Sequence, residues 1–517
     1  MTSAVESQRR GCLWEHVEVC GLGRRNSYIG LTLPHSCTLF RTGRLDPWTL
    51  CGGLISTRGV TDVSNNRYEA TVAGAAPRGE YLIRGAHVVS VDPAIGDLPV
   101  ADIHVRDGVI LAVALRIDAP GAEVIDAVGC IALPGFVEVH WHMWNSIWRG
   151  LAHDGAQYFA LHQLAPSYTA RDHYDAVRYA ALEAVNVGIT TCHNWAHAVR
   201  DFDDAEAEMQ ALVDSGIRAR FGYGDSWPLV QEPLGVSELR RALDWIDDNG
   251  DGRLSLGIAI HNPVALADEI DAARQLDLAT IATHVDYSRQ IHLLGPDVLF
   301  THGAGASPEL IALIAKTRMK VGLCPSTDPL IGAGLPPLQE LIEGGVQFKD
   351  LGFSVDVTCQ TPADPFSAMR TLLNSARMHQ RRGGSFEKVL AEDLFGSGPP
   401  TPLMRPRQVL ELATLNGAHV LGLDHVTGSL TPGKRADLIL VRTDQPNMLP
   451  VPDTNPTFQL VQCGQPANVD TVLIDGRILK RSGELLHFDG RDVVVRAAAA
   501  QSAIRDRAGL APIDLLQ

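Results

Sequence analysis

None of the nine cysteines stands in a C-x-x-C pair, and an odd number scattered over 517 residues fits reduced thiols better than a disulfide framework. A cytoplasmic setting is therefore expected. No stretch approaches the roughly 20 uninterrupted apolar residues of a spanning helix. The opening MTSAVESQRRGCLWEHVEVCGLG carries charge where a signal peptide holds its apolar run, so neither membrane insertion nor export is expected. Positive charge is also short: 44 Lys and Arg face 60 Asp and Glu, for a formal net charge of -16. Such a surface repels a phosphate backbone, which argues against a nucleic-acid partner. The glycine-rich IGAGLPP lacks the Lys-Ser/Thr of a phosphate-binding loop.

What is present is apolar material enough for a large core and a smaller one, 45% of residues being hydrophobic. Residues 1–78 hold no sustained periodicity and read as an N-terminal extension, disordered or otherwise not needed by the fold. From Tyr81 the pattern changes: YLIRGAHVVSVDP and ADIHVRDGVILAVA alternate as short strands about an Asp107-Gly108 turn. GSLTPGKRADLILVR and VDTVLIDGRILK repeat that pattern near the other end. The two pieces, 79–130 and 425–485, predict one small composite β-sandwich built from both chain ends, with 486–517 as a C-terminal tail. Between them, 131–424 alternates strand-like segments (IALPGFVEVH, GITTCHNW, IRARFGYG, LSLGIAIH, ATIATHVD, DVLFTHG, KVGLCPS, LGFSVDV) with helical ones. Eight strands in this alternation predict an α/β class chain with a (β/α)₈ TIM-type barrel. A doubly wound open sheet gives the same alternation.

The polar residues weigh between those two architectures. His140 and His142 close the first of the eight strands, two residues apart, so strand alternation points both the same way. His284 closes the fifth, His302 the sixth and Asp356 the eighth. In a barrel these crowd the C-terminal rim, where active sites of this architecture sit. Imidazoles with one carboxylate suit Zn²⁺ or Fe²⁺, and such a cation lowers the pKa of its water toward neutrality. One His-x-His among 19 histidines arises readily by chance; the whole set does not.

With these residues in view, LPGFVEVHWHMW resembles the first-strand signature of the amidohydrolase superfamily. GSLTPGKRADLILV resembles the strand-turn-strand with which many of its members finish. The similarity runs from about residue 80 to 480 and is nearest to the branch of cytosine and guanine deaminases and chlorotriazine hydrolases. It implies metal ligands at His140, His142, His284 and Asp356, with His302 close by as a second-sphere or substrate-polarising group. Binuclear relatives bridge two metals with a carboxylated lysine on the fourth strand. This chain has no lysine between His142 and His284, so one ion is expected.

Two departures from the family pattern stand out. Many deaminating relatives carry a glutamate three residues after the fifth-strand histidine, and here that position is Tyr287. Proton handling then falls to Asp356 first and His302 second, with Asp286 a weaker substitute. The second strand ends on Asn194 where relatives often place aspartate, and Asn194 stands there as a candidate substrate contact; His193 and His197 sit near the rim and are candidate contacts too, with a satisfied structural histidine the favoured reading of each. Trp144 offers a flat wall to a ring and Arg149 a partner for a carboxylate or carbonyl, with core packing the bland alternative for the tryptophan. Asp225, Ser226 and Trp227 are weaker candidates, and Cys324 reads as a buried thiol.

These readings predict a metal-dependent hydrolase acting on a non-peptide C–N bond of a cyclic or heteroaromatic small molecule. The chain would be a homo-oligomer, as proteins of this appearance commonly are. The alternatives are a dehalogenating hydrolase or decarboxylase on the same scaffold, or a metal-bound protein that binds without turnover.

Overall fold

The computed structural model describes residues 76–151, 155–224, 233–261, 266–284, 288–380, 384–393, 404–449 and 455–510. Almost all of the expected N-terminal extension, together with Asp225–Trp227, Asp286 and Tyr287, lies outside them. Five strands open the described chain: β1 (Glu80–Val89), β2 (Asp97–Arg106), β3 (Val109–Ala114), β4 (Glu123–Asp126) and β5 (Cys130–Pro134). Eight more follow: β6 (Phe136–Trp141), β7 (Ile189–Ala196), β8 (Arg218–Tyr223), β9 (Leu254–Ile260), β10 (Ile281–Thr283), β11 (Val298–Thr301), β12 (Lys320–Leu323) and β13 (Leu351–Phe353). Last come β14 (Leu438–Arg442), β15 (Val469–Ile474), β16 (Arg477–Arg481) and β17 (Glu484–Leu485).

The middle eight pair in strict sequence order, β6 to β13, every pair parallel. That order belongs to a barrel, since a doubly wound sheet reverses direction partway. Helices separate most of the strands, and their ends follow local chemistry. In Ala170–Val187, Thr169 and Asp172 form a capping box, and Gly188 at φ 89° ends the helix one residue before β7. At Gly135, between β5 and β6, an added Cβ would stand 2.1 Å from the Thr190 side chain of β7, so only glycine lets the chain pass β7 there.

The barrel shuts between β6 and β13 with few backbone bonds: Trp141 bridges Asp356, and the His142 N–H donates to Asp356 O at 2.9 Å. Side chains supply much of the seam. Glu138, 1% exposed, accepts from the His140 N–H at 2.8 Å on one carboxylate oxygen and from the Val355 N–H at 2.7 Å on the other. The Ser354 hydroxyl donates to His140 O and accepts from the Asp356 N–H at 2.7 Å. Burial raises the Glu138 carboxyl to about 8, against the opposing pull of Ser354 and the two N–H donors.

The remaining strands form one nine-stranded sheet in which β14, from late in the chain, pairs antiparallel with β5, from early in it. Both chain ends thus complete one core, with Ile83, Val88, Ile103, Leu438, Leu440 and Leu473 among its buried residues. An ionic cluster ties this sheet to the barrel. Arg218, the first residue of β8, donates to Asp437 at 2.6 Å, and Asp437 in turn accepts from the Asp475 N–H at 2.7 Å. Arg78, Arg435 and Arg477 all reach the Asp475 carboxylate. Burial would raise that carboxyl, but Arg218, Arg435 and Arg78 hold it below the usual aspartate range.

Two outcomes follow from these contacts. Arg218→Ala leaves Asp437 and Asp475 buried and short of a partner, so it is expected to cost about 3–5 kcal/mol in urea unfolding. Because the Asp475 carboxyl is depressed in the folded state, its contribution is present above about pH 4 and is lost as pH falls through the lowered value; Asp475→Asn should flatten that acid limb. Glu138→Ala strands two buried N–H groups at the seam, for a loss of about 1–3 kcal/mol each. It should also lower metal content measured by emission spectrometry, whereas Glu138→Gln, which keeps one acceptor, should fall between.

Candidate metal centre

Five side chains from four strand ends meet at one point. His140 Nε2 lies 3.1 Å from His284 Nε2 and 3.2 Å from Asp356 Oδ1, and His142 Nε2 lies 3.4 Å from the same oxygen. Ligand atoms of His140, His142 and Asp356, and again of His140, His284 and His302, stand within 4.8 Å of one another. His302, Cys324 and Asp356 form a third such group. Burial and the neighbouring imidazoles hold the His142 and His284 rings well below the usual histidine range; burial also lowers His140, against Asp356. Neutral rings offer lone pairs, as a metal requires. Asp356 Oδ1 is buried and accepts no hydrogen bond among the described residues. Lone pairs packed this closely, one of them on an unsatisfied carboxylate oxygen, fit a divalent cation.

Backbone strain marks the same place. His302 and Asp356 adopt left-handed backbone, φ 69° and 63°. Each is held there by bonds: the His302 N–H donates to Gly322 O at 2.7 Å, and Asp356 is gripped by Ser354 and His142. His302 Nδ1 meets Asp328 Oδ1 at 2.7 Å, and its Nε2 lies 4.0 Å from Asp356 Oδ2. Burial pulls the His302 ring down, but Asp356 and Asp328 outweigh it and raise it above its ordinary value. Cys324 is buried, and burial with nearby carboxylates drives its thiol well up, which leaves it a poor nucleophile.

The cluster opens into a cavity of about 450 Å³. His142, His284, His302 and Asp356 line its floor; Tyr158, Phe159, Ala304, Ile331 and Ala333 give apolar walls; His162, His197 and His261 form a polar one, with Thr327 and Asp328 beside them. His162, His261 and Asp328 carried no expectation from the sequence. His261 directly follows β9 and Asp328 lies in the short helix Thr327–Leu330 after β12, so their places beyond strand ends were the available signal. His162 sits in the 3-10 helix Gly155–Ser167, which offered none.

Of the residues expected at the substrate, Trp144, Arg149, His193 and Asn194 are not among the described residues lining the cavity, whereas His197 is. Trp144 lies one layer behind, edge-on to His162, Tyr168 and His197. The Arg149 guanidinium is engaged by Glu183 at 2.6 Å and by Thr358 O at 2.9 Å. His193 Nδ1 bonds Val139 O at 3.0 Å, and Asn194 donates to Glu208 at 2.7 Å, which also binds His173. All four are held by partners within the protein.

The pattern of the Amidohydrolase family matches residues 277–479. A 5'-deoxyadenosine deaminase of Methanosarcina acetivorans is 27% identical over 458 residues, covering 83% of this chain and 99% of its own. A 5-methylthioadenosine/S-adenosylhomocysteine deaminase of Desulforudis audaxviator is 28% identical over 459 residues, covering 80% and 97%. Among solved structures, a zinc-bound adenosine deaminase of Xanthomonas campestris superposes with a TM-score of 0.68 at 21% identity, over 83% of this chain and 100% of that one. An atrazine chlorohydrolase of Arthrobacter aurescens, also with zinc, gives 0.66 at 20% identity over 81% and 99%. A first-strand His-x-His, strand-end histidines and a closing aspartate on a barrel with a composite sheet accompany these likenesses, and over residues 277–479 the chain is similar to the Amidohydrolase family.

Proposed function

We propose that the chain hydrolyses the exocyclic C–N bond of an amino-substituted heterocycle, adding water to a ring sp² carbon and releasing ammonia. The convergence of His140, His142, His284 and Asp356, the last three of which line the floor of one cavity, carries this reading. Those four residues would hold a single Zn²⁺, or Fe²⁺ in its place. When bound, such a cation acidifies water and polarises the ring atom that water attacks.

The chain's own groups do the rest. Asp356 takes the proton of the attacking water on its carboxylate and delivers it to the departing nitrogen. Asp328 holds His302 Nδ1, so that Nε2 faces Asp356 and steadies the oxygen being added. Tyr158, Phe159 and Ile331 enclose a flat ring and keep bulk water from it. The curated relatives are named for deamination of adenosine derivatives, which supports a purine amine as the ring class.

Purified protein is expected to carry about one zinc per chain and to release ammonia from 5'-deoxyadenosine or 5'-methylthioadenosine, with activity lost to a chelator and restored by zinc. His142→Ala and Asp356→Asn should each lower kcat/KM about 10³-fold. Full turnover by either variant, or turnover of chlorotriazines in preference to every amine, would overturn this reading.

A further inference from the structure

His142 has a second contact, on the side of its ring away from Asp356. Its Nδ1 lies 3.0 Å from His197 Nδ1, and both residues are buried, 3% and 2% exposed. Two imidazole nitrogens at that distance share one hydrogen, so one ring donates and the other accepts. The nitrogen of His142 that faces Asp356 and the other ligands is Nε2. A ring that offers Nε2 as a lone pair to a metal keeps its proton on Nδ1. His142 is then the donor and His197 Nδ1 the acceptor. An accepting Nδ1 carries no proton, so the hydrogen of His197 must sit on Nε2. The competing partner, Trp195 O, lies farther from His197 Nδ1 at 3.4 Å and could be served only by the opposite tautomer.

The consequence falls on the cavity. His197 lines it, its ring stacked on His261 at 5.0 Å and tilted against His162 at 4.9 Å, and its Nε2 is buried with no hydrogen-bond partner among the described residues. A buried donor left unpaired is costly, and a ligand that fills it recovers that cost. We propose that His197 fixes the tautomer of His142 and so presents its own Nε2–H as a donor to an acceptor atom, a ring nitrogen or carbonyl oxygen, of the bound heterocycle. His197 is thus a positioning residue toward the metal and a specificity residue toward the substrate. The metal-ligand assignment given above underlies this inference; turnover does not.

Long-range proton–nitrogen correlation on zinc-loaded, ¹⁵N-histidine-labelled protein tests it, the His197 signals being identified by their loss in His197→Asn. The expected result is a His197 ring protonated on Nε2 whose resonance shifts when adenine is added to saturation. A His197 ring protonated on Nδ1 would overturn the tautomer chain, and a resonance unmoved by saturating adenine would remove the donor role. Zinc affinity gives a second readout. His197→Asn keeps an oxygen acceptor near the Nδ1 position and should bind zinc within about threefold of the parent, whereas His197→Phe should lose about 10- to 100-fold. Parent-like zinc affinity in the phenylalanine variant would sink the positioning role. A protein inert toward amines but showing the expected tautomer would instead fault the proposed reaction.

Discussion

Everything at the mouth of this barrel depends on keeping several lone pairs closer together than they would stay unaided. His140 Nε2 lies 3.1 Å from His284 Nε2 and 3.2 Å from Asp356 Oδ1, and both His140 and Asp356 are buried. Their carriers come from strands far apart in sequence, so the fold must impose the distance. The hardest joint is between β6 and β13, the first and last strands of the barrel. There Glu138 and Ser354 do with side chains what a continuous ladder does elsewhere, and they act on the backbone of His140 and Asp356 themselves. The same joint holds Asp356 in a left-handed conformation that costs on the order of 1–3 kcal/mol. Strain and closure are therefore one arrangement.

Stability is supplied at some remove from this chemistry. Arg218 opens β8, at the end of the barrel opposite the ligands, and its ion pairs reach Asp437 and Asp475 of the composite sheet. That separation is usual for the architecture, in which the C-terminal rim carries function and the opposite face carries stability. It also explains why the sheet needs both chain ends: β14 and β15 complete the sheet begun by β1 to β5 and bring the aspartates that anchor it to the barrel.

The barrel was legible because its strands are short, apolar and separated by helices with plain caps; GITTCHNW, for instance, nearly coincides with β7. The composite sheet was legible from matched alternation at the two ends. Strand-end position alone singled out His140, His142, His284, His302 and Asp356, which the structure places together. Side-chain direction one layer away was not legible. Arg149 reads as a free cation near the ligand pair, but Glu183, thirty-four residues later, meets it. Trp144 reads as a cavity wall, yet its ring packs behind the imidazoles that take that place. Glu138, one acid in an apolar strand, carried no expectation from the sequence, although a buried carboxylate requires donors and thereby marks a joint.

The imidazoles around the cavity divide by electrostatics into two kinds. Burial lowers His162 to about 4 and holds His197 and His261 below the ordinary range, so that wall is polar but uncharged near neutral pH. His302 alone among the cavity histidines is raised, because Asp328 and Asp356 flank it. No lysine or arginine is among the described residues lining the cavity. A ligand is therefore met by hydrogen bonds and ring faces on one side and by a carboxylate–histidine pair on the other. In the proposed reaction that pair would carry the proton, and Asp328, 2.7 Å from His302 Nδ1, would keep its histidine aimed.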